Sequence, residues 1–261
     1  MSDVESVIEW YMLSGVEDFC ADTPINVLKS DSHTPNPQNT DVTNKNAVVR
    51  PAITALSQIN TEACRNAEEL CRKAQTLDDL KAMVENFDGC SLKFSANSTV
   101  FGYGNPQAEV LIVGEAPGTD EDRQGEPFVG RSGQLLTKML QSIGLDRRDC
   151  YITNVLPWRP PGNRTPTDEE VVTCLPFLKR QIELVMPKII FILGRSAANA
   201  LLDNSDNITS LRGHFIDYKT ADGKIIPTLS SYHPAYLLRT TAQKAKSWSD
   251  LLRLKRKLEE I

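Results

Sequence analysis

Four carboxylates crowd into one glycine loop: Glu115, Asp120, Glu121 and Asp122, within GEAPGTDED at 114–122. The run before it, Glu109-Val110-Leu111-Ile112-Val113, is short, β-branched and bounded by turn residues, which predicts a strand buried on both faces. Ligands of open α/β sheets bind beyond the carboxyl ends of the strands, so these side chains fall where chemistry is expected. Read alone, the stretch also fits an acidic surface turn. Two further loops follow other predicted strands, Asn154 to Arg164 and YHPAYLLR at 232–239. The three loops together offer Glu, Asn, His, Phe and Arg. They hold no nucleophilic Ser or Cys elbow and no G-K-[ST] phosphate cradle, which excludes two common classes of site.

The elements that must position these loops alternate from residue 109 onward. Strands are expected at 109–113, 149–155 and 188–193, with two more in HFIDYK and KIIPTLS. Between them lie an amphipathic helix over 130–145 ended by Gly144, a helix opened by the Thr167-Asp168 cap, and another in GRSAANALL. A basic amphipathic helix over about 241–259 closes the chain. Such alternation predicts an α/β fold, a three-layer α/β/α sandwich around a central, mainly parallel sheet. Residues 1–86 read as a separate N-terminal extension and 87–261 as the domain that bears the site. The extension holds a short docking helix at 3–14, a disordered linker over about 20–50 that includes His33, and a helical segment with a fresh start at Thr76. Cys64 and Cys71, seven apart, share a helix face and fit core packing better than metal binding.

Composition sets outer bounds. The 261 residues are 40% hydrophobic and 24% charged, enough for one large domain plus an extension. No run approaches the roughly 20 apolar residues that span a bilayer, and no export signal opens the chain, so no membrane contact and a cytoplasmic location are expected. Cys20, Cys64, Cys71, Cys90, Cys150 and Cys174 form no C-x-x-C pair, so neither a zinc ribbon nor a disulfide framework is suggested. The net charge of −5 is unevenly spread. Residues 1–150 carry 13 Lys/Arg against 23 Asp/Glu, and residues 151–261 carry 16 against 11, so a nucleic-acid contact belongs mostly on the C-terminal half.

Five motifs resemble those of the uracil-DNA glycosylase superfamily, specifically its family 4: GEAPGTDED at 114–122, GEPFVG at 125–130, YITN at 151–154, RPPGNRTPT at 159–167 and HPAYLLR at 233–239. The resemblance covers about residues 87–258 in the family's order and spacing. It implies a monofunctional hydrolase that flips uracil out of DNA, cleaves its N-glycosidic bond and leaves an abasic site, initiating base-excision repair. By the same resemblance Phe128 stacks on the flipped base. Asn154 donates to a uracil carbonyl and accepts from its ring N–H, which cytosine cannot reciprocate. His233 donates to the departing uracil oxygen. Glu115 and Glu121 share the orienting of water and the stabilising of the cationic sugar. Leu237 and Leu238 form a wedge that fills the opened stack, while Asn163, Arg164 and Arg239 hold the substrate's phosphates or the neighbouring loop. Outside the motifs, Phe128 reads as core, Asn154 as a strand-end cap, and Tyr236 to Leu238 as packing. The family lacks the aspartate that other glycosylases carry at Ala116, so its water activation is less direct. No lysine nucleophile is matched.

One departure concerns metal. Family 4 members hold a 4Fe-4S cluster on four cysteines, and Cys90 and Cys174 match two of those positions, whereas the other two fall on Phe87 and Trp158. Two thiolates are too few for a Cys₄ site, so aromatic packing is expected in its place and no cofactor is required for the chemistry. The implied partner is uracil-containing DNA, bound by a monomer, with the extension available to a repair partner. A rival reading is a catalytically silent damage-binding protein of the same fold. A nucleotide-binding protein is a weaker rival, because the loop carboxylates would repel phosphate.

Overall fold

Apolar, β-branched runs become buried strands here because helices cover both sides of them. The computed structural model describes residues 61–261, so the predicted docking helix, the linker, Cys20 and His33 lie outside the described residues. Six strands, β1 (Tyr103–Gly104), β2 (Val110–Gly114), β3 (Tyr151–Asn154), β4 (Ile189–Leu193), β5 (Phe215–Lys219) and β6 (Ile225–Ser231), make one sheet in the order β1-β3-β2-β4-β6-β5. The four central strands run parallel, and β1 and β5 are antiparallel edges. Every residue of β2 and β4 is buried. Alternate residues face opposite layers: Leu111 and Val113 join one core cluster, Val110 and Ile112 the other. The sandwich predicted from strand–helix alternation is thus present.

Helices α1 (Glu62–Lys73), α2 (Leu77–Glu85) and α3 (Leu92–Ser95) precede the sheet. The rest are α4 (Thr119–Gln124), α5 (Arg131–Gln141), α6 (Asp168–Val185), α7 (Arg195–Leu202), α8 (Ile208–Leu211), α9 (Pro234–Arg239) and α10 (Lys244–Glu260). Thr76 opens α2 with a full capping box, its hydroxyl accepting from Asp79 N at 3.1 Å while Asp79 accepts from Thr76 N at 3.0 Å. Thr167 and Glu170 do the same for α6. Pro176 inside α6 cannot donate to the Val172 carbonyl four residues back, and the Cys64 thiol donates to that carbonyl at 3.6 Å instead. The end of α1 is held by Arg180, which donates to Ala74 O at 2.7 and 3.2 Å. Helices α1 and α2 therefore share a core with α6, through Ala67, Cys71, Leu80, Val84, Phe177 and Leu178.

Two expectations need correction. The carboxylate loop contains a helix, α4, because Gly118 provides an extended start and the Glu121 side chain bonds back to the Gly118 N–H. The segment read as a loop after β6 is helical from Pro234, since proline suits a first helical turn and His233 caps it.

Strand order reverses about β2, whose neighbours are the later strands β3 on one side and β4 on the other. That makes a switch-point crevice at its carboxyl end. Gly114 pairs with Asn154 in register, and Leu193 with Ser231, so the exits of β2, β3, β4 and β6 open together. The β6 exit is fixed from behind by α10. Buried Asp250 accepts from Ser231 Oγ at 2.7 Å and from Arg212 at 2.6 and 3.1 Å, and Arg212 lies over the Tyr232 ring. Burial pushes the Asp250 carboxyl pKa up, against the pull of Ser231 and Arg212, so this is a desolvated charge that needs its partners. Asp250→Ala should strand the Arg212 charge and cost about 3–5 kcal/mol. It would be read as a lowered urea midpoint with an unchanged slope. A shift under about 1 kcal/mol would show that the ion pair does not hold β6 in place.

Candidate active site

The centre of the crevice is a bare backbone carbon. A Cβ built on Gly114 would stand 2.3 Å from Asn154 Oδ1, 2.6 Å from Phe128 Cζ and 2.7 Å from Phe128 Cε2, so both side chains rest on the glycine itself. With a larger residue here both side chains would have to shift, because real Cβ atoms do not approach so closely. Asn154 reaches the spot as the last residue of β3, and the two strand exits stay zipped by Val155 N to Gly114 O at 2.9 Å and Leu156 N to Glu115 O at 3.1 Å. In the sequence Gly114 is simply the glycine that follows the apolar run. Its spatial role was signalled only by an apolar strand ending in glycine, with a pocket residue directly across in register.

Phe128 is buried with φ +55°, a left-handed conformation that costs a bulky residue on the order of 1–3 kcal/mol. Its carbonyl presses on the first turn of α5, where a Cβ on Gly133 would stand 1.7 Å from Phe128 O. The ring stacks against the His233 imidazole, with centroids 5.6 Å apart and planes at 30°.

His233 caps α9 through its side chain, Nδ1 accepting from Ala235 N at 3.1 Å. An accepting Nδ1 is unprotonated, so the neutral ring carries its proton on Nε2. Burial, reinforced by the Arg239 charge, lowers the His233 pKa to about 4. At neutral pH the site therefore offers an uncharged N–H donor.

The carboxylates divide. Glu115 is half-buried at the β2 exit, its pKa raised by burial against a hydrogen bond from Ser196. Glu121 is turned toward the backbone of its own loop. Its Oε1 accepts from Val129 N at 3.0 Å and Gly130 N at 2.9 Å, and Oε2 from Gly118 N at 3.1 Å. Bonded to three amides and buried, it clasps the loop that carries Phe128. Asp122 is likewise consumed, accepting from Asn97 N and Nδ2 at 2.8 and 2.7 Å and from Ser98 N at 3.2 Å.

The remaining expected residues sit on exposed loops at the same sheet end or leave it. Asn163 is exposed, with Oδ1 accepting from Arg159 Nε at 2.7 Å. Arg164 spends its guanidinium on Glu170, at 2.6 and 2.9 Å, which favours the neighbouring-segment role over phosphate. The two leucines part company. Leu237 is fully buried, while Leu238 and Arg239 are exposed, because successive helical residues point about 100° apart.

Comparison with known proteins agrees with this arrangement. The model of the uracil DNA glycosylase superfamily matches residues 101–252, a span that takes in all the loops above. The chain belongs to that superfamily. A type-4 uracil-DNA glycosylase of Archaeoglobus fulgidus is 45% identical over 168 residues, covering 63% of this chain and 84% of the relative. One from Thermotoga maritima is 40% identical over 175 residues, covering 67% and 89%. A type-5 uracil-DNA glycosylase of Pyrobaculum aerophilum is more distant, 33% identical over 150 residues and 52% of this chain. Within the superfamily, then, similarity points to the type-4 family.

The 4Fe-4S cluster implied by that family does not fit the side chains present. Cys90 and Cys174 are buried side by side, the Cys174 thiol donating to Cys90, which holds the Cys90 pKa down and raises that of Cys174. Phe87 packs edge-on against Phe177, centroids 5.1 Å apart, and Trp158 is enclosed with its Nε1 donating to Thr99 Oγ1 at 3.0 Å. Cys71 lies in the α1–α6 packing, with its pKa pushed up to about 12 by burial. Among the described residues no three His, Cys, Asp or Glu side chains gather where a metal ion could be held.

The His233 geometry has a pH signature. Its ring resonances, assigned by their loss in His233→Gln, should titrate near 4, with the proton on Nε2 above that. The unfolded chain takes up this proton near 6.5 and the folded chain resists until about 4, so His233 lowers stability as pH falls through that interval. Titration near 6.5 would show an open, solvated imidazole instead.

Proposed function

We propose that this protein is a uracil-DNA glycosylase that hydrolyses the N-glycosidic bond of uracil flipped out of DNA, leaving an abasic site for base-excision repair. The observation that carries the reading is the convergence of Asn154 and Phe128 on the bare Gly114 carbon, with a neutral, Nε2-protonated His233 stacked behind. A flipped pyrimidine meets an aromatic face and a fixed amide there, the two things that read a base in isolation. The Asn154 amide both donates and accepts, matching a carbonyl and the adjacent ring N–H of uracil. As the bond breaks, negative charge builds on the uracil oxygen. A neutral imidazole donates to it without first having to lose a charge, and the low-dielectric setting strengthens that bond. Glu115, ionised above its raised pKa, faces the positive charge that builds on the sugar as uracil departs, and orients the attacking water. Glu121 supports the loop. The type-4 relatives are named for this activity, which adds to the geometric argument.

The same reading places the site-bearing domain at 87–261 and lets it work as a monomer in the cytoplasm, on nucleoid DNA. The N-terminal extension, whose α1 and α2 pack against α6, is available to a repair partner. No helix among the described residues is long and apolar enough to cross a membrane. Leu238 and Arg239, exposed beside His233, are the residues that meet the DNA stack and backbone. No metal takes part in the chemistry, and Phe87 and Trp158 occupy the space that cluster ligands hold in the family.

Release of free uracil from single- and double-stranded oligonucleotides tests the proposal. Wild-type protein should leave alkali-labile abasic sites, and His233→Ala should slow cleavage by roughly 100-fold or more while DNA binding persists. Asn154→Asp should lose uracil reading or extend it toward cytosine. Binding without any abasic product would establish the silent damage-binding protein. Purified aerobically or anaerobically, the protein should be colourless, and a brown iron–sulfur spectrum would overturn the metal-free reading.

A further inference from the structure

Phe128 is the one pocket residue whose backbone is strained, so something outside the pocket must hold it. Arg147, in the loop between α5 and β3, does so from behind. Its two terminal nitrogens donate separately to the carbonyls of Pro127 and Phe128, and its guanidinium lies over the Tyr103 ring at 4.8 Å from the centroid. The side chain is half-buried and its donors are directed at main chain, so it is poorly placed for a phosphate. On the opposite side the Phe128 carbonyl is pressed against α5 at Gly133. Guanidinium and helix backbone therefore meet one peptide from two sides, at the residue whose φ is +55° and whose ring lies over Gly114. Arg148, the next residue, points away and pairs with Asp146 at 2.9 Å, so adjacent arginines have unrelated tasks.

We infer that Arg147 is a positioning residue for base recognition: by fixing the Pro127–Phe128 carbonyls it sets the stacking ring, and so governs affinity for the extruded base without touching DNA. This rests on the reading of Phe128 as the base-stacking residue. A planar fork that bonds two carbonyls at once cannot be copied by lysine, whose ammonium is a single point donor.

The test measures inhibition by free uracil, which reports the base pocket, beside affinity for abasic-site DNA, which reports the rest of the interface. Arg147→Met should raise the uracil inhibition constant about tenfold, and Arg147→Lys should raise it less, with abasic-DNA affinity changed under about twofold in both. In a Phe128→Ala background, Arg147→Met should add little to the uracil effect, because the two act through one ring. Should the Met variant fail to fold, the Lys variant and its double with Phe128→Ala carry the same comparison. Unchanged uracil inhibition in the Arg147 variants, with a large loss in Phe128→Ala, would overturn the inference alone, as would parallel losses of uracil and abasic-DNA binding. If Phe128→Ala itself leaves uracil inhibition unchanged, the stacking assignment fails instead.

Discussion

The pocket depends on the absence of one side chain. Gly114 ends a fully buried strand, pairs in register with Asn154, and leaves its Cα open to the Phe128 ring. A methyl group there would collide with the amide and the ring together, and both side chains would have to shift off the glycine. Close approach of backbone to ligand is a recurrent use of glycine. In this protein the approach is made by the side chains of Asn154 and Phe128. The neighbouring polar groups inherit that geometry, His233 through its stack on Phe128 and Glu115 through the next peptide bond.

The electrostatic character of the site follows from how each polar group is satisfied. Glu121 and Asp122 have their oxygens taken by nearby amides, so they cost little to bury and organise loops. Glu115 is left less satisfied and has its pKa raised. His233 is held neutral by burial and by a nearby arginine, with its free N–H defined by the helix it caps. Polar groups that retain unsatisfied capacity in a low-dielectric crevice are the ones able to respond when charge develops on a substrate.

Away from the crevice, the Cys90–Cys174 region shows how a buried volume can be filled by different chemistry. Two thiols share one hydrogen bond, and two large aromatic side chains pack around them, Phe87 on Phe177 and Trp158 tied to Thr99. Aromatic burial stabilises through area and edge-on geometry, which is enough to tie the 87–101 segment to α6 and to the β3 exit. α1 and α2 continue the same core, and Cys64 contributes by satisfying the carbonyl that Pro176 leaves open. Locally encoded helices thus become part of the domain through long-range packing.

What the sequence determined by itself was local or periodic. The β2 and β4 runs, the Thr76 and Thr167 caps and the strand–helix alternation rest on residues within a few positions of one another, and each appears close to where the pattern puts it. The motifs, by resemblance, pointed to the residues that the fold gathers: Glu115, Phe128, Asn154 and His233. Only the tertiary structure separated Glu115 from Glu121, because their difference lies in amides supplied by Val129 and Gly130 across the loop. Only it set Leu237 in the core and Leu238 outside, since that choice depends on which side of α9 meets the sheet. And only it brought Arg147 behind Phe128, where a loop side chain with no motif to mark it meets two carbonyls nineteen and twenty positions earlier. Spacing along the chain constrains which residues can share a helix face or a strand end; it carries no information about which distant hydrogen-bonding groups remain to be satisfied once the chain has closed.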